Sequence, residues 1–442
     1  MQTFNAFWAQ AVSIAWGLPL VILLLSAGIY FTIASRFAPF FALRHTYHIL
    51  RGRYDDPKDP GQINHFQALT SALSATIGMG NIAGVAVAIT TGGPGAIFWM
   101  WVAGAVGMAT KFFTCTLACM YRKEDEDGIE QGGPMYFIEV GLGKHFKPLA
   151  MMFAFCGMFG CLAIFQSNQL ATLLDQHWQI EPLATGFVSM FIVGAVILGS
   201  ITRVGAVSSA VVPSMCLLYI ASCVYIIGSQ IEQVPELFSS IFVAAFGGEA
   251  VIGGAVGLSV KEIIITGFKR AAFSNEAGIG TAAMAHGAAK TSEPVREGLV
   301  AMIGPFIDTH IVCTMTALVI LSSGVNGGGN GVVMTANAFE SAMPGLGTVI
   351  LTLIFCLFAV STMISYSYYS LKCSRYLFGK RVGSQFIYVY LALIPLAAVW
   401  SQSTIINIID TAFAMMAIPT LVSSLLLSPK VMAASRAYFK KI

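Results

Sequence analysis

The chain has 442 residues, of which 56% are hydrophobic and only 10% are charged, with a formal net charge of +3 and a mean hydropathy of +0.76. Soluble domains carry about 25% charged residues and need polar cover over their surface. The composition therefore excludes a soluble enzyme and a disordered chain, the small net charge argues against a nucleic-acid partner, and what is left is one all-α polytopic membrane domain.

The first ten residues, MQTFNAFWAQ, hold no Lys or Arg, so the apolar run after them lacks the charged leader of a signal peptide. Crossing a bilayer takes about 20 apolar residues, and the run predicts a retained helix over 11–35. Further apolar runs predict helices at 66–91, 96–120, 148–173, 183–200, 205–228, 261–288, 297–322, 347–370, 384–400 and 404–427, which makes eleven. Lys and Arg collect in segments 36–62, 121–147, 201–204, 289–296, 371–383 and the tail 428–442, whereas 1–10, 92–95, 174–182, 229–260, 323–346 and 401–403 contain none. Eleven crossings put every basic segment on one side. Basic loops stay cytoplasmic, so the N-terminus is expected outside and the C-terminus inside.

Parity decides one ambiguous stretch. Residues 235–260 are apolar enough for another crossing, yet Arg203 and Lys290 must share a side. The expectation is an outer interfacial helix and a Gly-rich re-entrant connection; the alternative is a following crossing that starts near Ala250. Segment 323–346 reads as a long outer loop and a candidate lid. The nine cysteines form no C-x-x-C pair and no zinc-like cluster, and read as small buried hydrophobes.

Two helices are interrupted at matching places, by Ser74-Ala75-Thr76-Ile77-Gly78-Met79-Gly80-Asn81 and by Phe273-Ser274-Asn275-Glu276-Ala277-Gly278-Ile279-Gly280-Thr281. A glycine costs up to roughly 1 kcal/mol against alanine in a helix interior, and neighbouring polar side chains compete for backbone hydrogen bonds. Irregular backbone at membrane depth is tolerated only in a protein interior or beside a cavity. The two breaks begin sets of five helices, 66–228 and 261–427, with opposite starting directions. The chain then divides into an extra helix at 11–35, two inverted repeats, an outer connection at 229–260 and a cytoplasmic tail at 428–442. Paired interruptions in inverted repeats point to a transporter's substrate site. Gly78-Met79-Gly80-Asn81-Ile82-Ala83 also fits a dinucleotide-binding pattern, but no βαβ context surrounds it.

These residues resemble the alanine/glycine:cation symporter family, the sodium:alanine symporters. The resemblance rests on Gly92-Gly93-Pro94-Gly95-Ala96-Ile97-Phe98-Trp99-Met100-Trp101, on Thr76 to Asn81 and on Phe273 to Gly278, and it covers nearly the whole chain. It implies a LeuT-type 5+5 inverted repeat with one added N-terminal helix, and uptake of alanine or glycine with Na⁺ at the cell membrane. Within the family glutamine and H⁺ are the alternatives.

A zwitterion needs opposite partners: backbone N–H groups at a half-helix N-terminus for its carboxylate, and freed carbonyls for its ammonium. The expected substrate contacts are Thr76, Gly78, Met79, Gly80, Asn81, Gln166, Phe273, Ser274, Asn275 and Gly278, with Phe273 limiting side-chain size. Na⁺ is a hard cation that takes oxygen ligands. The candidates are the Ser74 and Ile77 carbonyls with the hydroxyls of Ser361, Thr362 and Ser365, as the LeuT-type resemblance implies. A second candidate cation site uses the Thr76 carbonyl, Asn81 and Ser274. Among the intramembrane charges, Glu276 or Asp308 is expected to pair with Arg270 or Lys269 as a structural or gating pair, the rival being Asp308 as a proton or Na⁺ carboxylate. No catalytic residue and no cofactor is expected, Na⁺ being the coupling ion. The partners are a small amino acid, Na⁺ and the lipid bilayer, and the oligomeric state, a monomer included, stays open.

Overall fold

The computed structural model describes residues 2–198, 201–247, 259–324 and 331–441. The described chain is helical apart from a two-stranded antiparallel ribbon pairing Lys123–Glu124 with Glu130–Gln131. Each expected span coincides with a helix or an interrupted helix. Seven helices are long and apolar enough to cross a membrane, and an eighth is the pair Phe4–Ala15 and Leu18–Ala34, bent by 41°. Pro182–Ile197 and Phe386–Ala398 are shorter apolar helices. Val260–Asn275 and Ala282–His286 form the remaining span, which is interrupted.

Several boundaries differ from the sequence expectation. The N-terminal helix starts at Gln2 rather than 11 and bends at Gly17, ahead of a proline in the next helix's first turn. The span expected at 148–173 is two helices, Lys147–Gly160 and Ile164–Trp178. Helix Gly347–Gly383 outruns its expected end at 370. The last helix, Gln402–Phe439, continues through the expected tail at 428–442 despite Pro419 and Pro429. Apolarity marks only the stretch that can lie in lipid, whereas a helix continues as long as backbone hydrogen bonds and neighbours permit.

The connection expected on the outer side holds the 3-10 turn Ile231–Gln233 and then helix Val234–Ala245. The Gly-rich stretch expected to re-enter, 248–258, lies outside the described residues, as do 325–330 of the candidate lid and 199–200. The lid segment contains helix Val332–Ala342. The crossing after the connection starts at Val260 rather than Ala250, where Ser259 and Glu262 form a capping box that satisfies N–H groups otherwise left without acceptors.

The Gly92–Trp101 motif shapes the corner under that outer helix. Gly93 has φ +67° and ends helix Met79–Gly92. A Cβ on Gly95 would lie 2.5 Å from the Ala244 carbonyl carbon, and one on Gly267 would lie 2.5 Å from the Trp99 Cβ. The Trp99 indole N–H donates to the Ala245 carbonyl (3.1 Å), and Trp101 donates to the Thr314 hydroxyl (2.7 Å). The motif is thus a packing device that docks the outer helix on the bundle.

At the end rich in basic residues, the two broken helices are tied together. The Gln62 N–H donates to the Ala288 carbonyl (2.8 Å), and the Lys290 N–H donates to the Ile63 carbonyl (2.7 Å). Arg122 donates to the carbonyls of Pro60 and Ala289.

Candidate functional site

The first interruption falls where Ile77 turns extended (φ −76°, ψ 104°) between helices His65–Thr76 and Met79–Gly92. The Gly78 N–H, freed by the break, donates to the Asn81 Oδ1 at 2.9 Å. Asn81 reaches the other way with Nδ2, to the Asp308 carbonyl (3.1 Å) and the Cys313 sulfur (3.4 Å). This fully buried side chain therefore caps the second half-helix and ties it to helix Pro294–Ser322. Within that helix, Phe306–Cys313 is a π-helical stretch, a departure frequent at functional sites.

The second interruption opens at Glu276, a non-glycine residue in the left-handed region (φ 55°), followed by Gly278 (φ 86°) and Gly280 (φ 99°). Such a residue costs on the order of 1–3 kcal/mol and persists when its surroundings hold it. Glu276 is held: its carboxylate accepts from Thr281 (2.5 Å) and Tyr366 (2.6 Å). Asn275 accepts from the Ala277 N–H (2.9 Å) and donates to Thr309 (2.9 Å).

The two interruptions meet. A Cβ on Gly80 would sit 2.8 Å from the Ser274 Cα, a backbone atom that cannot swing aside. Ser274 donates to the Asp308 Oδ1 (2.5 Å), Thr309 donates to the same oxygen (3.0 Å), and Asp308 Oδ2 is buried without a hydrogen-bond partner among the described residues. The second candidate cation site, built around Asn81 and Ser274, thus gains a carboxylate at its centre.

The first candidate cation site also assembles. Thr362 donates to the Ser74 carbonyl (2.9 Å), and the Ser74 hydroxyl donates to the Ser361 carbonyl (2.9 Å). A Cβ on Gly78 would lie 2.8 Å from the Thr362 Oγ1, so only glycine lets helix Gly347–Gly383 come so near the break. The Ser365 hydroxyl is buried and unpartnered, as is that of Thr76. The Ser361 hydroxyl donates to the Phe358 carbonyl of its own helix (3.1 Å), and its carbonyl accepts from Ser74 (2.9 Å). Carbonyl and hydroxyl oxygens of this kind suit a hard monovalent cation. Among the described residues, no three of His, Cys, Asp and Glu converge as a metal-binding group.

Every expected substrate and Na⁺ residue is buried, but not all face the same space. Gly278 packs against the N-terminal helix, where a Cβ would meet Leu24 Cδ2 at 2.6 Å. Gln166 is buried with its Oε1 unpartnered, on helix Ile164–Trp178. Its neighbour Asn168 is spent on the Ala397 and Trp400 carbonyls (3.2 and 2.8 Å). Phe273 stands edge-on to Phe165 (5.1 Å) and near Phe413 (5.9 Å), an aromatic wall.

The expected charge pairing is also corrected. Neither Glu276 nor Asp308 pairs with Arg270 or Lys269. Both cations instead face Asp410 of helix Gln402–Phe439: Arg270 donates to Asp410 Oδ2, and Lys269 lies at 3.7 Å. Arg270 also lies over the Phe273 ring at 5.2 Å. Asp410 sits some 140 positions along the chain from Arg270, a separation that local spacing cannot bridge. A second buried ionic group was equally hidden. Glu297 accepts from or pairs with His65 and with His286 (2.5 Å), so one carboxylate joins the ends of both broken helices at the side rich in basic residues. Its only sequence signal was two histidines at matching ends of the two interrupted helices.

Two interrupted helices that meet at Gly80 and Ser274, with buried oxygens lacking hydrogen-bond partners among the described residues beside both breaks, are the arrangement expected of a secondary transporter. The chain belongs to the sodium:alanine symporter family, whose model matches residues 1–442. It is 40% identical to the sodium/alanine symporter AgcS of Methanococcus maripaludis, over 96% of this chain and 95% of that one. It is 32% identical to the probable sodium/glutamine symporter GlnT of Bacillus subtilis, over 98% and 90%. The fold is that of LeuT-type transporters. It matches MhsT in complex with L-phenylalanine with a TM-score of 0.59 at 12% identity, covering 86% of this chain and 99% of that one. It matches a Na⁺-coupled sialic acid symporter with a TM-score of 0.56 at 12% identity, covering 95% and 98%. The protein is a multi-pass membrane symporter of amino acids and not an enzyme, with Na⁺ as the coupling ion.

Proposed function

We propose that this symporter carries alanine or glycine into the cell with Na⁺, binding both where the two interrupted helices meet. The observation that carries the reading is that buried oxygens without a hydrogen-bond partner among the described residues stand beside both breaks: Thr76 Oγ1 at the first and Asp308 Oδ2, of the carboxylate that accepts from Ser274, at the second, with Ser365 Oγ one turn along from Thr362. Buried polar atoms are normally satisfied, so these oxygens argue for ligands that complete them. The substrate carboxylate is assigned to the N–H groups of Met79 and Gly80, first-turn groups that have no acceptor within their own helix. The ammonium is assigned to carbonyls at the end of helix Val260–Asn275, those of Phe273 and Ser274. The ring wall of Phe165, Phe273 and Phe413 favours a side chain no larger than a methyl group. Gln166 supplies one further polar contact through its unpartnered Oε1.

One Na⁺ is assigned to the Ser74 and Ile77 carbonyls with Thr362 and Ser365. The second cation site is assigned to Asp308 with Ser274 and Asn81. A fully buried carboxylate without a basic hydrogen-bond partner is the observation that favours H⁺ there as a second reading. Arg270 with Asp410 serves as the outer gate, and Glu297 with His65 and His286 as the inner one. The residues 66–228 and 261–427 are the two repeats, with the N-terminus outside. The distribution of Lys and Arg supports this orientation. Transport is then alternate opening of the two ionic layers around a fixed site.

The test is uptake of radiolabelled alanine into proteoliposomes under an inward Na⁺ gradient, compared with choline and with a pH gradient alone. Concentrative uptake with Na⁺ only is expected. Uptake driven by the pH gradient alone would select the proton reading. Uptake of glutamine in preference to alanine would refute the size limit set by the aromatic wall.

A further inference from the structure

The N-terminal helix and the last helix flank a groove of about 660 Å³ at the end of the bundle that is rich in Lys and Arg. Phe112 and Phe113 lie beneath it, fully buried, and its exposed apolar surface is the rim of Phe41, 81% exposed, and Phe439, 38% exposed. Arg36, Arg436 and Lys440 line it, and no Asp or Glu does. None of the three basic side chains forms an ion pair among the described residues. The backbone is strained where it enters the groove: Arg36 (φ 55°) and Phe37 (φ 60°) are consecutive non-glycine residues in the left-handed region.

We propose that this groove binds an anionic phospholipid of the inner leaflet, with its phosphate among Arg36, Arg436 and Lys440 and an acyl chain over Phe41 and Phe439. The proposal rests on the cytoplasmic orientation of this end. Basic pockets between membrane helices on the cytoplasmic side take anionic head groups, and three cations without counter-charges select against a zwitterionic head that brings its own ammonium. A free anion would use the cations and leave the exposed phenylalanine rim bare. The lipid would brace two elements that already touch through Tyr30 and Ser428 (3.0 Å) and through the Trp16 indole, which donates to the Asp410 carbonyl (2.8 Å). Occupancy at the inner end is thereby connected with the helix that carries the outer ion pair.

The test is native mass spectrometry of the full-length protein in detergent, titrated with dioleoyl phosphatidylglycerol, dioleoyl phosphatidylcholine or sodium phosphate. A preferred phosphatidylglycerol adduct is expected. Arg36→Gln, Arg436→Gln and Lys440→Gln should each weaken it about fivefold, and the triple variant about a hundredfold. Arg53→Gln with Lys58→Gln, exposed at the same end but outside the groove, should leave it unchanged. An equal loss in that control would show diffuse surface charge and overturn the site. Undiminished binding by the triple variant would overturn it too, as would displacement of the lipid by equimolar phosphate, which would assign the cations to a free anion. If the triple variant does not fold, the single variants decide by the same fivefold criterion.

Discussion

At the scale of single residues, two hydroxyls on one helix turn separate. Thr362 reaches the Ser74 carbonyl, while Ser361 bonds back to Phe358. Thr362→Ala combined with Ser365→Ala is therefore expected to raise the Na⁺ concentration for half-maximal uptake by about tenfold, the equivalent of roughly 1.4 kcal/mol. Ser361→Ala should change it little. An unaltered Na⁺ dependence in the double variant would place the ion elsewhere. Asp308→Asn keeps the shape but removes the charge from the carboxylate that Ser274 and Thr309 address. It should reduce coupled uptake at least about a hundredfold if it removes roughly 3 kcal/mol of ion binding. Counterflow measured with and without Na⁺ would show the loss. Asp410→Asn leaves Arg270 buried without its counter-ion, a change that typically costs about 3–5 kcal/mol. Thermal unfolding in detergent should register it, and a charge-preserving Asp410→Glu should recover most of it.

At the scale of elements, the glycines of the first break serve approach between helices. On the side where a Cβ would stand, Gly80 meets the Ser274 backbone. Gly80→Leu is thus expected to force the two broken helices apart, abolishing uptake while leaving membrane insertion intact. Even Gly80→Ala should cost about 1–3 kcal/mol as overpacking. Normal uptake by the leucine variant would show that the helices need not touch. The inner layer gives a separate readout. Glu297→Leu strands the imidazoles of His65 and His286, at roughly 1–3 kcal/mol for each buried group left unsatisfied. Cys119, whose thiol donates to the His286 carbonyl (3.3 Å) and lies beside Arg122, should then react faster with a membrane-permeant maleimide, followed by peptide mass spectrometry. An unchanged rate would mean that the carboxylate does not hold the inner end closed.

At the scale of the whole molecule, a symporter must bind two solutes in a space reached from one side at a time. On the proposed reading, the chain meets that need with the contact between Gly80 and Ser274 and a charged cluster beyond each end. The bilayer made most of this legible in sequence. A lipid solvent demands long apolar runs and penalises charges, so the spans and the two interruptions could be read from residue types and order, whereas the grouping of Ser74 with Thr362 and Ser365 came only with the family resemblance. What stayed illegible was pairing at a distance. Asp410 meeting Arg270, Glu297 joining His65 to His286, and the Phe165–Phe273–Phe413 wall each join segments more than a hundred residues apart or bring together residues with no common local pattern. Helix ends were illegible for a related reason, because capping and neighbour contacts, not hydropathy, decide where Gln402–Phe439 stops. Sequence alone therefore determined the class, the spans and the two places where the helices must break, since desolvation acts on each segment separately. Only the tertiary structure decided which charges neutralise which and which oxygens remain free, because a buried polar group is satisfied by whatever the packing brings within about 3 Å of it.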